Sequence, residues 1–348
     1  MNRIRVVFMG SADLSAVMLE RLARETETIH LVGCVTQPDK PAGRNKKLTP
    51  CACKAFVDKM GIPCLTPQKV NTEESLAQIA AWLPDVIVVV AYGQILSRRL
   101  LDIPTMGCIN IHLSLLPRYR GASPIHASLL AGDKVTGATA MLMDEGMDTG
   151  PVLMARETAI TDDDTLETLH DRLAEIGAEL LVDVLPKWAY FQVRPIPQDP
   201  EKVVTAYKIK KTDGLLHWND PTDVILRKIR AYTPWPSCFT YFPPDEKDKK
   251  RDPNATLGKM VKVLSATAVP ISQKFSSVEP GTVLKADREG LVVRTSDGAL
   301  QIHHVQSEGG KAMDVQAWLR GHVAVAPGFT FITPPPPPAQ PIAAYRRQ

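Results

Sequence analysis

A stretch near the middle of the chain carries the side chains best suited to chemistry. Asn110 and His112 lie two residues apart in the otherwise apolar run 108–113, and the segment 143–150, Met-Asp-Glu-Gly-Met-Asp-Thr-Gly, follows with three carboxylates that include Asp148. On a β-strand, side chains two residues apart point to the same face of the sheet. An amide, an imidazole and a carboxylate could therefore converge at one site.

These three groups suit acyl transfer to an amine, which creates an oxyanion and a protonated nitrogen. An amide N–H can stabilise the oxyanion, a histidine can exchange protons near neutral pH, and a carboxylate can orient the histidine or a water. A plainer interpretation stays open, because a histidine near a strand end is often only a hydrogen-bonded polar residue and an acidic glycine-rich segment is often only a turn. The residues also do not decide whether His112 would remove the proton or stabilise the oxyanion.

The elements that must position these side chains alternate between strands and helices. Short apolar runs predict buried strands at 4–9, 31–35, 85–91 and 108–112. Such strands, alternating with helices, indicate a mostly parallel α/β sheet covered on both faces. Asn110 and His112 then lie at the carboxyl end of a strand, where open parallel sheets build their sites. Only Gly10 follows the first strand, so a dinucleotide-binding loop is not indicated.

The second half of the chain has shorter elements. An amphipathic helix is predicted from Asp162 to about Tyr190, and three prolines at 195–200 form a stiff connector. After a helix at 220–231, turn-separated runs favour a small barrel, with strands at 239–242, 260–264, 281–285, 290–295 and 299–305. A charged insertion at 243–253 predicts a loop. We therefore predict a catalytic domain, a linker, a barrel domain and a disordered proline-rich tail, at 1–193, 194–207, 208–330 and 331–348.

Composition indicates a soluble globular protein. Hydrophobic residues make up 44% and charged residues 23% of the 348 residues, and no apolar stretch approaches the roughly 20 residues of a membrane span. The first ten residues are interpreted as a strand and a turn, so no export signal is predicted. The six cysteines lack the spacing of zinc or redox motifs, which favours a cytoplasmic protein with reduced thiols and no metal.

Charge is unevenly spread along the chain. The formal net charge is +3, yet residues 208–330 hold 18 Lys and Arg against 13 Asp and Glu. A basic second half favours a polyanionic partner, although many basic faces are merely solvated.

The central motifs resemble the signature of the folate-dependent formyltransferases. Asn110-Ile111-His112, followed by Ser-Leu-Leu-Pro-Arg-Tyr-Arg-Gly at 114–121, is similar to the first motif of that superfamily, and Asp-Glu-Gly-Met-Asp-Thr-Gly at 144–150 to the second. Further segments resemble the methionyl-tRNA formyltransferases in particular, at 36–48, 89–96, 209–214 and 229–236. The resemblance covers about residues 4–325, nearly the whole chain.

The resemblance implies a Rossmann-like catalytic domain, an OB-like C-terminal barrel and no metal. It implies transfer of the formyl group of 10-formyltetrahydrofolate to the amino group of methionine on initiator tRNA, with Asn110, His112 and Asp148 as catalytic residues. Folate contacts are expected at the turn after the strand at 85–91 and in the two motifs, namely at Tyr92, Gly93, Gln94, Ile95, Leu115, Pro117, Asp144 and Gly146. Contacts to tRNA are expected in the basic loop at 37–48 and the C-terminal domain, namely at Lys40, Arg44, Lys46, Lys47, Lys208, Lys210, Lys211 and Arg230.

The chain departs from the family pattern at Asn45, at Cys51-Ala52-Cys53 and at Leu113. None of these departures changes one of the three catalytic candidates. These candidates do not separate a tRNA acceptor from a purine-precursor amine or an amino sugar. A folate hydrolase and a noncatalytic RNA-binding protein on the same scaffold are further alternatives. The basic loop and the barrel favour tRNA, and a monomer is expected.

Overall fold

The computed structural model describes residues 3–42, 47–252 and 256–334. It divides into two compact units. The first unit comprises Met1–Ile125, Lys134–Thr161 and Thr168–Tyr207, and the second comprises His126–Asp133, Asp162–Glu167 and Lys208–Gln348. The proline-rich connector at 194–207 is therefore part of the first unit, and two short pieces from the first half of the chain belong to the second.

The strands of the described residues are numbered in chain order. They are β1 (Ile4–Gly10), β2 (Ile29–Val35), β3 (Lys40–Ala42), β4 (Lys47–Thr49), β5 (Cys64–Leu65), β6 (Val86–Val90), β7 (Cys108–His112), β8 (Arg120–Gly121), β9 (Val135–Leu142), β10 (Val152–Ala159), β11 (Thr205–Ala206), β12 (Cys238–Tyr241), β13 (Met260–Val269), β14 (Val283–Asp287), β15 (Gly290–Arg294), β16 (Ala299–Ser307) and β17 (Met313–Asp314).

The α-helices of the same residues are numbered likewise. They are α1 (Asp13–Ala23), α2 (Ala52–Met60), α3 (Glu73–Ala81), α4 (Arg98–Leu101), α5 (Pro124–Ala131), α6 (Leu166–Ala189), α7 (Thr222–Tyr232), α8 (Glu246–Arg251) and α9 (Val315–Arg320).

The first unit is built on a seven-stranded sheet in the order β10-β9-β7-β6-β1-β2-β5. The five strands from β7 to β5 are parallel, whereas β9 runs antiparallel to β7 and β10 antiparallel to β9. The predicted mostly parallel α/β sheet is confirmed. The chain order reverses between β1 and β6, and at such a switch point the carboxyl ends of the strands leave a crevice for ligands.

The central strands are buried on both faces because helices cover the sheet. All five residues of β6 are buried, as expected of a continuous apolar strand in a parallel sheet. At the end of β1 the backbones approach closely: a Cβ added to Gly10 would lie 2.8 Å from the carbonyl oxygen of Val90. This close approach explains the glycine without any role in nucleotide binding.

Two segments predicted as loops contain regular structure. In the insertion, Asp245 caps α8 by accepting bonds from the amides of Lys247 and Asp248, which satisfies free donors at the helix start. In the basic loop, β3 and β4 pair as a hairpin with Lys40 opposite Thr49. Arg44 and Lys46 lie outside the described residues.

The second unit contains a six-stranded antiparallel sheet in the order β12-β13-β16-β15-β14, with β17 paired to β16. The segment 330–332 joins its two edges. Ile332 pairs with Tyr241 at the end of β12, and Thr330 pairs with Thr282 just before β14. Hydrogen bonding thus continues around the sheet, and it includes two residues past the domain end predicted at 330, whereas residues 335–348 of the predicted tail lie outside the described residues.

All six cysteines are free thiols. Burial raises the pKa of the Cys108 thiol, and that of the Cys238 thiol, to about 12, so both are protonated at neutral pH. Among the described residues, no three metal-ligating side chains are grouped closely enough to hold an ion. Nor does any helix in this part of the chain combine the length and hydropathy that crossing a bilayer would require.

Candidate active site

Strand β7 places Asn110 and His112 on one face at the carboxyl end of the sheet. Its neighbours fix the register: Val89 of β6 lies opposite Asn110, and Thr139 of β9 lies opposite His112. The His112 side chain is 7% exposed, and Asn110 is half-buried. The sequence-based prediction that both side chains share one face therefore agrees with the described register.

The imidazole of His112 contacts a different partner with each nitrogen. Its Nε2 lies 2.8 Å from the carbonyl oxygen of Tyr119, and its Nδ1 lies 3.6 Å from Oδ2 of Asp148. A carbonyl oxygen can only accept, so Nε2 carries the hydrogen and Nδ1 of the neutral ring keeps its lone pair. The nitrogen free to take up a proton is therefore the one that faces the carboxylate.

The carboxylate of Asp148 joins the three candidates. Its Oδ1 accepts a bond of 3.3 Å from Nδ2 of Asn110, and its Oδ2 accepts a bond of 2.8 Å from the backbone amide of Gly121. Two donors fix the plane of the carboxylate. The described structure thus brings Asn110, His112 and Asp148 together.

Both residues that contact the imidazole have left-handed backbones. Tyr119 has φ 63° and Asp148 has φ 54°, a region that residues other than glycine rarely adopt, although aspartate tolerates it better than most. Such conformations persist where the surrounding structure imposes them, and they cluster at functional sites.

The loop after β7 is held by hydrogen bonds within it and from the neighbouring strand β9. The hydroxyl of Ser114 donates to the carbonyl of Arg118 at 2.6 Å, and the hydroxyl of Thr139 donates to the carbonyl of Ser114 at 2.6 Å. The guanidinium of Arg118 donates to the hydroxyl of Tyr119 at 2.7 Å. These bonds fix the Tyr119 carbonyl that holds His112. The folate candidates Leu115 and Pro117 are half-buried in the same loop.

The segment 143–150 is an equally tight turn. The carboxylate of Asp144 accepts bonds from the Gly146 amide at 3.0 Å and from the hydroxyl of Thr149. One oxygen of this predicted folate residue therefore holds the turn that carries Asp148. Glycine is required at Gly150, because an added Cβ would lie 1.8 Å from the carbonyl oxygen of Leu142. At Gly146 an added Cβ would lie 2.0 Å from Oγ1 of Thr149, so the hydroxyl bound to Asp144 would have to move.

Replacing Gly150 with alanine is expected to destabilise the protein by about 1–3 kcal/mol, as other overpacked sites are, and to lower kcat of the expected formyl transfer by displacing Asp148. The matched control is Gly321→Ala, whose added Cβ would have its nearest neighbour at 3.7 Å. Urea unfolding and steady-state rates measure both effects. Equal free energies of unfolding for the two variants would show that the turn accommodates the added methyl group without loss of stability.

The predicted folate turn after β6 is only partly open to a ligand. The ring of Tyr92 is 1% exposed and belongs to the core, while Gln94 accepts from the Val70 amide and donates to the Pro67 carbonyl. Gly93 and Ile95 are exposed, Ile95 by 83%. A ligand at this turn would therefore meet backbone, the Ile95 side chain and the exposed part of Gln94, but not the buried Tyr92 ring.

The basic candidates differ in their partners. The Lys40 ammonium donates to Oε1 of Gln37, and Lys47 is exposed on β4. Lys208, Lys210 and Lys211 are exposed in the second unit. Arg230, in contrast, donates to the main-chain carbonyls of Asp162 and Asp164 at 2.7 and 3.2 Å. Its guanidinium therefore holds the segment before α6, within the second unit.

We expect Arg230→Leu to lower the free energy of unfolding by about 1.5–3 kcal/mol, because two carbonyls lose a charged donor. Lys211→Ala should change that free energy by less than about 0.5 kcal/mol. If Lys211 contacts RNA, Lys211→Ala should instead raise KM for charged tRNA. The tRNA affinity of this variant should also depend less on salt concentration than that of wild type. Arg230→Leu with unchanged stability but a raised KM would assign the RNA contact to Arg230.

Three features of the site could not be predicted from the sequence. They are the Tyr119 carbonyl, the Gly121 amide and the side chain of Gln198, which donates to the carbonyl of Asp148 at 2.9 Å. Two are backbone groups, and the third comes from a connector 50 residues further along the chain. A sequence motif records side-chain types and not such contacts.

The geometry supports transfer of a carbonyl group to a nucleophile. A lone pair on His112 faces a carboxylate that can stabilise the imidazolium formed by proton uptake. The Asn110 amide has two hydrogens, of which one is given to Asp148, so the second can donate to an oxyanion.

Comparison with known proteins agrees with this chemistry. The formyl transferase family model matches residues 2–185, and the model of the formyl transferase C-terminal domain matches residues 208–323. The methionyl-tRNA formyltransferase of Magnetococcus marinus is 40% identical over 322 residues, covering 92% of this chain and 96% of its own. That of a Geobacillus species is 41% identical over 319 residues, covering 91% and 94%.

Solved structures share the fold at low sequence identity. The N-formyltransferase of Helicobacter canadensis, solved with folinic acid and dTDP-3-aminofucose, has a TM-score of 0.59 at 14% identity, over 88% of this chain and 100% of its own. HypX of Aquifex aeolicus, solved with tetrahydrofolic acid, has a TM-score of 0.56 at 17% identity, over 91% and 47%. From the family models and the identities to relatives over nearly their whole length, the chain belongs to the formyl transferases and, within them, to the methionyl-tRNA formyltransferases.

Proposed function

We propose that the enzyme transfers the formyl group of 10-formyltetrahydrofolate to the free amino group of methionine on initiator tRNA, in the cytoplasm and as a monomer. The observation that carries the formyl-transfer chemistry is the fixed orientation of His112, whereas the tRNA acceptor is proposed from the identity to methionyl-tRNA formyltransferases. The Nε2 hydrogen of His112 is held by the Tyr119 carbonyl, so that Nδ1 is left to face Asp148 and the side of the sheet that carries Asn110.

The proposed reaction needs one proton acceptor and one oxyanion donor. The neutral amine attacks the formyl carbon, the second amide hydrogen of Asn110 stabilises the oxyanion, and Nδ1 of His112 takes the proton from the attacking nitrogen. When the carbon–nitrogen bond to the folate breaks, the leaving nitrogen takes up a proton, so the imidazolium can return the one it holds. Asp148 stabilises the imidazolium in between.

The folate is proposed to bind beside the turn at 92–95, next to the carboxyl end of β7. The exposed Gly93 and Ile95 leave backbone groups and one apolar side chain for its ring, a combination typical of small-molecule sites. Folate contacts from Leu115, Pro117, Asp144 and Gly146 are proposed on the resemblance of the motifs. For Tyr92 and Gln94, the buried ring and the occupied amide favour contacts through the backbone.

The tRNA is proposed to contact the hairpin of β3 and β4 and the exposed lysines of the second unit. Lys40 lies opposite Thr49 at one end of the hairpin, and Lys47 lies opposite Ala42 at the other. Contacts from Arg44 and Lys46, which lie outside the described residues, are proposed on the resemblance of the sequence. Lysines placed in this way bind phosphates, and such contacts position the RNA without reading its base sequence. Arg230 is the weakest of the proposed RNA contacts, because its Nη1 already donates to two main-chain carbonyls.

Formyl transfer from 10-formyltetrahydrofolate to three acceptors tests this proposal: charged initiator tRNA, charged elongator tRNA and free methionine. We expect the initiator tRNA to give the highest kcat/KM by a wide margin. Transfer to a purine-precursor amine or an amino sugar but not to tRNA would support another formyltransferase. Release of formate without an acceptor would support a hydrolase, and binding of tRNA without turnover would support a noncatalytic protein.

A further inference from the structure

The proline-rich connector contributes one side chain to the support of the active site. Nε2 of Gln198 donates to the carbonyl oxygens of Asp148 and Gly150, at 2.9 and 2.7 Å. Its Oε1 accepts a bond of 2.9 Å from Nε of Arg120. All polar groups of this amide are therefore engaged, and the two bonds it donates go to the backbone that carries the catalytic carboxylate.

The partners of Gln198 dictate the residue type. Two carbonyl oxygens require an NH₂ group, and an arginine N–H requires an oxygen acceptor, so the amide has one orientation. Glutamate has the same shape and could still accept from Arg120, but it has no hydrogen to donate and would bring negative charge against two carbonyls. Alanine would leave the two carbonyls without this donor.

The surrounding backbone holds Gln198 in place. On one side Ile196 and Val152 exchange two backbone hydrogen bonds of 2.8 Å each. On the other side β11 pairs with β8, and the amide of Arg120 donates to the carbonyl of Val204 at 2.9 Å. The connector is thus anchored before Gln198 on β10, which follows the Asp148 turn, and after Gln198 on β8, which contains Gly121.

We propose that Gln198 is a positioning residue for the formyl transfer, which holds the left-handed Asp148 turn so that the carboxylate faces His112. A turn with φ 54° at a residue other than glycine needs outside contacts to maintain it. Small displacements of a catalytic group reduce the rate strongly, by about a hundredfold for 1 Å in unfavourable cases. The inference rests on the proposed function, because it assigns Gln198 to the same reaction.

The test compares Q198E and Q198A with the wild-type enzyme in formyl transfer to charged initiator tRNA. We expect kcat to fall about ten- to a hundredfold in Q198E and less in Q198A, where a water can take the place of the amide. KM for the folate and for the tRNA should stay within about twofold, because Gln198 touches neither. The control is Gln192→Glu, which adds the same charge at an exposed residue shortly before Gln198 in the sequence and should leave kcat unchanged.

A double-mutant cycle separates positioning from general loss of stability. If Gln198 acts through Asp148, the effect of Q198E should largely disappear in a D148N background, whereas a purely structural effect would lower kcat by the same factor in both backgrounds. Should Q198E fail to fold, the cycle is repeated with Q198A. Equal factors in the two backgrounds, or a kcat within twofold of wild type, would overturn the inference.

Hydrogen–deuterium exchange provides a readout that does not depend on activity. In Q198E, amides in the segment 143–150 should exchange faster than in wild type, while amides of β1 and β6 should not change. Unchanged exchange in the turn would overturn the positioning role even if the wild-type enzyme transferred no formyl group. If the wild-type enzyme transferred no formyl group but the turn still exchanged faster in Q198E than in wild type, only the proposed function would be contradicted.

Discussion

Replacing His112 with glutamine is expected to lower kcat by about a thousandfold, within the range that loss of a general acid–base group produces. Glutamine has nearly the reach of Nε2 and can still donate to the Tyr119 carbonyl, so the bond of 2.8 Å can be replaced. It has no lone pair of comparable basicity at the position of Nδ1. The loss should therefore fall on the chemical step, with KM for both substrates nearly unchanged.

The matched control for this variant is His30→Gln, an exposed histidine on β2 of the same unit. Its kcat should equal that of wild type. Single-turnover rates of formyl transfer at saturating substrate separate the chemical step from product release. A rate for His112→Gln within tenfold of wild type would show that His112 is not the proton acceptor.

The second large effect is expected for Asp148→Asn, with kcat about 10²- to 10⁴-fold below wild type. Asparagine tolerates the left-handed backbone as well as aspartate does, so the turn should survive. The negative charge 3.6 Å from Nδ1 of His112 is lost. One of the two acceptors that bind Asn110 and Gly121 also becomes an NH₂ group, which cannot accept from either donor.

A surface aspartate provides the control. Asp102 pairs with Arg98 at 2.8 Å in an exposed ion pair, and such pairs contribute less than about 1 kcal/mol. Asp102→Asn should therefore leave both stability and kcat close to wild type. Unchanged turnover in Asp148→Asn, with folate binding intact, would remove the role assigned to this carboxylate.

Much of the first unit could be predicted from the sequence because its strands are short, apolar and buried. The predicted strand at 108–112 coincides with β7, and the strand predicted at 85–91 contains β6. Strands β9 and β10 were not predicted. The sequence of β9, Val-Thr-Gly-Ala-Thr-Ala-Met-Leu, is rich in small residues and has no clear alternation, and β10 presents a half-exposed edge.

The geometry of the site depends on contacts that sequence spacing does not contain. Asp148 reaches Asn110 across 38 residues, and Gln198 reaches Asp148 across 50. The two motifs predicted which side chains belong together, but only the fold shows that Nδ1 of His112 is the nitrogen that faces the carboxylate. For the same reason, the spacing that predicted an RNA contact at Arg230 could not show that its guanidinium donates to two main-chain carbonyls.

The most direct measurement is a crystal structure of the enzyme with a 10-formyl folate analogue whose formyl group cannot be transferred. We expect the formyl oxygen within hydrogen-bonding distance of Nδ2 of Asn110. A nucleophile about 3–3.5 Å from the formyl carbon should then lie within reach of Nδ1 of His112. A formyl group bound on another side of the sheet, or an imidazole turned so that Nδ1 no longer faces Asp148, would contradict the mechanism.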